Sequence, residues 1–398
     1  MKFQPIARWV LAGMLLAAML LRAPITGVPP VLKDISDTLA LSPTAAGFVS
    51  TLPLLCFGVF AFVTPFLSRK LGVEPTLWIA IVLMIVGIGV RLIVDVGPFF
   101  IGTLLLGLGI AIGNVIVPAL ARTWFAARLA FVMGLYSVTL QLGAAFGPFV
   151  TSLGVNAGTS WALSLGFWLI PGVIALVVWS LVSLRVRRHT QGQPHRGSQP
   201  TGLRQVASTR LAWVITFVMG VQSMLFYTLL TWLPTQFRND VGATDTQAGL
   251  LLTVFTLLGF PGSFLAKWVT VHAKAPRNLI VMFSIYLVGL IMLWLGTPVT
   301  VIIGAIIVGL CQGICLAMAL TFIAHQRNPA DVPATSALAQ GVGYLIAAAG
   351  PVLLGYLYAR TGSLRLGEGV MVGITVVLAV GAVYIARSIR PRHDEVEV

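Results

Sequence analysis

The chain has 398 residues, of which 58% are hydrophobic and only 9% charged, and its formal net charge is +14. A water-soluble domain carries about 25% charged residues, so this composition, with a mean hydropathy of +0.98, excludes that class and places the chain in a bilayer. The basic excess does not point to nucleic acid, because Lys and Arg fall in alternate loops between apolar stretches instead of one patch. Windows of about 20 apolar residues predict twelve membrane spans, over 9–32, 44–67, 76–95, 98–121, 130–153, 160–184, 210–235, 246–268, 278–296, 300–323, 333–357 and 368–387.

The first span is too long for a cleaved signal peptide, and Arg22-Ala23-Pro24 is no small-x-small cleavage site. Arg22 lies inside it. A guanidinium there costs roughly 2.5 kcal/mol on insertion scales, and such residues face a protein interior or a water-filled path. Thr26 shares its face at i, i+4. The loop after the second span holds Arg69-Lys70. Arg91, near the end of the third span, stands four residues before Asp95. That spacing predicts a snorkelling side chain in an i, i+4 ion pair.

Further along, Asn114 lies near the middle of the fourth span and Gln141 in the fifth. Gln222 and Ser223 lie mid-span in the seventh, with Tyr227 one turn beyond Ser223. Gln312 follows Cys311 in the tenth, and Gln340 and Tyr344 are one turn apart in the eleventh. Each of these polar residues has a second reading as an interhelical hydrogen bond, worth roughly 0.6 kcal/mol. Cys56, Cys311 and Cys315 read as small apolar packing residues. The five histidines show no zinc-type spacing, no nucleophile elbow is present, and no metal or cofactor is expected.

With both termini cytoplasmic, all Lys and Arg except Lys33, Arg238, Arg360, Arg365 and the intramembrane Arg22 and Arg91 fall on the cytoplasmic side. That is the positive-inside pattern, here of a bacterial inner membrane. The polar segment 185–209 separates six spans from six, and the halves match. TAAGFVST at 44–51 aligns with TQAGLLLT at 246–253, and LLLGL at 104–108 with IIVGL at 306–310, each at an offset of 202. GAAFGPFV at 143–150 aligns with IAAAGPVL at 346–353 at an offset of 203. An even number of spans per repeat predicts parallel repeats about an axis along the membrane normal. The chain therefore divides into a bundle at 1–184, a basic linker at 185–209, a second bundle at 210–390 and a tail at 391–398. Gly147-Pro148 and Gly350-Pro351 occupy equivalent places in the fifth and eleventh spans. Paired bends there suit a gate, and equally suit ordinary kinked packing.

LRAPITGVPPVL at 21–32, GLGIAIGNVIVPALARTWF at 107–125, VQSMLFYTLLTWLP at 221–234 and ALAQGVGYLIAAAGP at 337–351 carry a resemblance. They resemble the first, fourth, seventh and eleventh helices of the cyanate/2-nitroimidazole transporter (CynX/NimT) family of the major facilitator superfamily. LSRKLG at 67–72 is similar to the superfamily's loop motif, but lacks the Asp that usually precedes the Arg. The resemblance implies an all-α membrane fold of twelve helices in two pseudo-symmetric six-helix bundles, and small-molecule transport. It also implies a cavity lined by helices 1, 4, 7 and 10 and flanked by 2, 5, 8 and 11, which are the spans that hold the polar residues.

All eleven Asp and Glu are assigned to loops, tails or helix ends, and none lies mid-membrane. A low-dielectric cavity whose one charge is Arg22 favours a small anion, or a neutral solute with a strong acceptor such as a nitro group. The expected protein is a monomeric transporter of such a molecule, working by alternating access, with Arg22 as its central charge and no enzymatic chemistry. The alternative is a proton-driven effluxer relaying through Asp37, Asp240 or His325. A membrane sensor or enzyme is the remote alternative, and the chain shows neither a catalytic constellation nor a signalling domain.

Overall fold

A computed structural model describes residues 5–125, 129–189, 203–270, 275–324 and 331–388. Most of the linker, the tail and His325 lie outside the described residues. Among the described residues, twelve helices are long and apolar enough to cross a membrane. They are α1 (Pro5–Leu20, with short continuations to Leu39), α2 (Pro43–Leu71), α3 (Val73–Val90), α4 (Val96–Trp124), α5 (Leu129–Asn156), α6 (Leu169–His189), α7 (Arg210–Gln236), α8 (Asp245–Thr270), α9 (Ala275–Leu295), α10 (Pro298–Ala324), α11 (Val332–Thr361) and α12 (Arg365–Ser388). This is the expected all-α membrane architecture.

Local chemistry sets the boundaries. Ser42 accepts a hydrogen bond from the Ala45 amide ahead of Pro43 in the first turn of α2, the placement in which a missing proline N–H costs nothing. Asp95 is drawn into the same work at α4, accepting from the Gly97 amide at 3.1 Å. The third helix ends at Val90, so Arg91 and Asp95 never share a helical face. Arg91 is buried and no ion pair joins it to Asp95. The expected snorkelling pair is therefore corrected.

The first span is not one helix. Its ladder stops at Leu20, turns through Leu21 and Arg22, and resumes for four residues at Ala23–Thr26. A tight turn at Pro29–Val31 and a last helix at Leu32–Leu39 follow. Pro24 lacks the N–H that would reach Leu20, and its ring crowds that carbonyl. Pro29 and Pro30 repeat the interruption one turn on. Two prolines inside α2 and single prolines inside α4, α5, α7, α8 and α11 leave those helices continuous.

The packing repeats between halves. In the first, α1 packs on α5 and α6, α2 on α4, and α3 on α4 and α6; in the second, α7 packs on α11 and α12, α8 on α10, and α9 on α10 and α12. Across the seam α2 lies against α11 and α5 against α8, which are again equivalent pairs. The helix α7 is the most enclosed span, while α6 and α12 turn most of their surface outward. Two six-helix bundles thus face each other, with α1 and α7 at the centre.

The seam is closely packed at the end that carries Asp34, Asp240 and Asp245, here called the acidic end. A Cβ on Gly47 of α2 would run into the Pro351 carbonyl of α11, and one on Gly249 of α8 into the Ser152 side chain of α5. Gly47 and Gly249 are equivalent in the repeat, so both sides of the mouth close by the same device. Pro29, Pro30 and Val31 are buried beneath it.

Candidate substrate site

The break in the first span presents Arg22 to the second bundle. Its guanidinium donates from Nη1 to the Tyr227 hydroxyl of α7, and its carbon lies 5.9 Å from the centre of that ring. The Tyr344 hydroxyl of α11 is a further side-chain partner, and the Tyr136 hydroxyl of α5 also lies close enough to act on the charge. No carboxylate is among the described groups acting on Arg22. Three phenols are weak acceptors with a proton to give, so the charge has company but no counter-ion.

Aromatic rings wall this centre. Tyr227 and Tyr344 are 6.5 Å apart between centroids, and Phe57 of α2 meets Tyr344 edge-on at 5.2 Å. Phe226 meets Tyr227 at 5.2 Å and stacks on Phe255 of α8 at 6.5 Å. Tyr136, Tyr227 and Tyr344 are all buried. The arrangement offers ring faces, several donors and a fixed cation, which is the chemistry that holds a planar, acceptor-bearing solute.

The break is held from behind by a repeated clasp. Thr26 donates to the Arg22 carbonyl at 3.2 Å, and Thr228 of α7 to the Met224 carbonyl at 2.6 Å. Each threonine hydroxyl faces a glycine, Gly147 for Thr26 and Gly350 for Thr228. Residues 22 and 224 are equivalent in the repeat, so the second bundle has methionine where the first has arginine. The scaffold is symmetric and the charge is not. Pro148 and Pro351 follow these glycines inside continuous helices.

The remaining polar residues are distributed differently. Asn114 is next to Gly113, where α4 packs on Leu21, and its Nδ2 is buried with no partner. Gln141 reaches the seam, its Nε2 facing Gly259 of α8. Gln222 is satisfied locally, donating to the Met219 carbonyl at 3.1 Å and to Ser223 at 2.7 Å. Gln340 donates to Ser336 at 2.9 Å within α11. Gln312 donates to the Tyr286 hydroxyl of α9, away from the seam. The structure therefore gathers Arg22, Tyr227 and Tyr344, keeps Asn114 nearby, and engages Gln222, Gln312 and Gln340 with near neighbours.

Tyr136 is not singled out by the sequence reading, although a signal exists. Tyr136, Gly143 and Gly147 recur at helical spacing, and Gly143 packs on the Met19 carbonyl of α1. The acids stay away from the middle, as expected, yet Glu368 in the first turn of α12 is buried with Oε2 unpartnered. Asp240 is held 3.9 Å from Arg365 and 3.3 Å from Gln236. Asp37 is exposed and pairs with Lys33 at 3.4 Å.

Comparison with known proteins agrees with this architecture. The Major Facilitator Superfamily model matches residues 14–269 and 233–397. The chain is 31% identical over 360 residues to the 2-nitroimidazole transporter of Escherichia coli (strain K12), covering 89% of each chain. It is 28% identical to the cyanate transport protein CynX of the same organism, covering 89% of this chain and 91% of that one. In three dimensions it is similar to a bacterial homologue of the human lysosomal transporter Spinster in an inward-facing, unoccupied conformation, with a TM-score of 0.76 at 15% identity over 98% and 100% of the two chains. The resemblance read from the first, fourth, seventh and eleventh helices is borne out. The chain belongs to the major facilitator superfamily, in its cyanate and 2-nitroimidazole transporter family, and is a multi-pass membrane transporter, not an enzyme.

Proposed function

From that membership as premise, we propose that this transporter moves a small anionic or nitro-bearing molecule by alternating access, with Arg22 as the charge that binds it. One observation carries the reading: a guanidinium at the helix break, ringed by Tyr136, Tyr227 and Tyr344 with no carboxylate among the described groups acting on it. A solute bearing two acceptor oxygens can take both arms of the guanidinium fork and receive phenol protons as well. An organic cation meets like charge and no counter-ion. Of the relatives' named substrates, 2-nitroimidazole carries two such oxygens on its nitro group, and cyanate is a small anion that matches the charge.

The two bundles contribute unequal halves of the site, the charge from the first and two of its phenols from the second. Substrate bridging them is held at the seam while the bundles rock, so the site opens to alternate sides. The end that carries Arg69, Lys70, Arg210 and Arg387 faces the cytoplasm on the positive-inside rule, and the acidic end is the one interlocked here.

Uptake into proteoliposomes holding the purified protein tests the reading. Saturable uptake of 2-nitroimidazole or cyanate, with no uptake of an organic cation such as ethidium, is expected. Uptake of the cation without either of the others contradicts it.

A second reading, proton-driven efflux, draws support from Glu368, buried at the acidic end with an unpartnered carboxylate oxygen. It expects uptake to follow an imposed pH gradient in the wild type and to lose that dependence in Glu368→Gln.

A further inference from the structure

Arg91 is a second buried guanidinium, just beyond the end of α3, and the binding chemistry above does not use it. It is 3% exposed. Its side chain turns into the first bundle: a Cβ on Gly102 of α4 would lie 2.7 Å from the Arg91 Cγ, so the glycine leaves room for the stem. The guanidinium sits 5.2 Å from the Phe99 ring. Its Nη1 donates to the Pro24 carbonyl at 3.3 Å, while Nε and Nη2 have no partner. Asp95, the carboxylate closest in sequence, is spent on capping α4.

A buried, unpaired guanidinium is costly, and one kept inside a membrane bundle marks a function. The acceptor identifies it. Pro24 is two residues beyond Arg22, in the four-residue segment Ala23–Thr26 that no continuous ladder joins to α1. That segment rests on α5 through Gly147, which would place a Cβ 2.6 Å from the Ala23 carbonyl. Arg91 approaches it from α3. Four helical residues hold no shape alone, so contacts such as these, with those of Thr26 and Gly27 against Gly147, decide where the segment lies.

We infer that Arg91 is a positioning residue for Arg22: by holding the Pro24 carbonyl it fixes the broken segment so that the Arg22 guanidinium meets Tyr227 and Tyr344. The importance of this for transport rests on the proposed role of Arg22, but the positioning itself is tested without substrate.

The test is a thermal-stability cycle in detergent with Tyr227→Phe and Arg91→Met. No hydrogen bond or ring contact joins Arg91 to Tyr227, and they belong to different bundles, so independent effects add. If Arg91 places Arg22, Tyr227→Phe lowers Tm by about 2–4 °C in the wild type and by less than half of that in Arg91→Met. Arg91→Lys, which keeps a donor, restores most of the shift. Equal Tyr227→Phe shifts in the wild type and in Arg91→Met overturn the inference, as does no shift in the wild type. Should Arg91→Met not fold, Phe99→Leu takes its place: a reduced Tyr227→Phe shift supports the inference and an unchanged one overturns it. With no substrate in the assay, these outcomes stand apart from any failure of the uptake experiment.

Discussion

Arg22 donates a hydrogen bond to the Tyr227 hydroxyl across the seam between the two bundles. The contact joins the one charge at the break to the helix that is most enclosed in the molecule. On the proposed function, a bound acceptor would take the Arg22 donor that Tyr227 now accepts.

Tyr227→Phe removes the acceptor and one phenol donor while keeping the ring. A hydrogen bond to a charged group contributes about 1.5–3 kcal/mol, so the Kd for 2-nitroimidazole or cyanate is expected to rise about 10-fold or more. Isothermal calorimetry on wild type and variant measures it. An unchanged Kd would mean that Tyr227 does not contact substrate.

Gly147→Ala and Gly350→Ala are expected to differ although the two glycines are equivalent in the repeat. Beyond its threonine, a new methyl at 147 meets backbone, the Ala23 carbonyl at 2.6 Å and the Gly27 nitrogen at 2.8 Å. At 350 it meets the flexible Met224 side chain at 2.6 Å and that residue's carbonyl at 3.1 Å. Overpacking costs about 1–3 kcal/mol, and Gly147→Ala should lie at the higher end. Thermal unfolding of both variants decides this, and a larger loss in Gly350→Ala would refute the ordering.

Asn114 carries a buried amide nitrogen without a partner. Its replacement by leucine removes a desolvation cost, so the substrate-free protein should be as stable as wild type or more so. If Asn114 lines the substrate path, affinity should nevertheless fall, because a free donor on α4 is lost. A drop in stability with unchanged affinity would assign Asn114 to packing alone.

Gln312 and Tyr344 separate in the opposite way. Gln312 donates to Tyr286 within the second bundle, so Gln312→Leu should cost about 1 kcal/mol of stability and leave KM for uptake unchanged. Tyr344→Phe should raise KM with a small effect on stability. Uptake kinetics on both, with melting curves, provide the contrast.

The twelve spans were legible because membrane spans need only length and apolarity, and α2 to α12 begin and end within about five residues of the apolar windows, except that α6 proper begins at Leu169, after a short separate helix at Trp161–Gly166. The repeat was legible from three short matches, and it appears in the structure as the shared clasp of Thr26 with Gly147 and Thr228 with Gly350. Arg22 stood out because charge inside lipid is costly. The break beside it did not, although Pro24, Gly27, Pro29 and Pro30 announce it, because apolarity averaged over a window is blind to backbone donors. The i, i+4 spacing of Arg91 and Asp95 does not make a pair, because it requires a helix running on to Asp95 and α3 stops at Val90. The direction taken by each glutamine depends on partners from other helices, such as Tyr286 for Gln312, and no local pattern encodes those.

The proposed role of Arg22 is tested most directly by the Kd for 2-nitroimidazole and for cyanate in wild type, Arg22→Ala and Arg22→Lys, each shown by its melting curve to be folded. Removing one partner of a buried charged contact costs about 2–5 kcal/mol, so Arg22→Ala should bind the wild-type ligand at least about 30-fold more weakly. Arg22→Lys keeps the charge but loses the planar fork, and should fall between the two. A folded Arg22→Ala that binds with wild-type affinity would contradict the account.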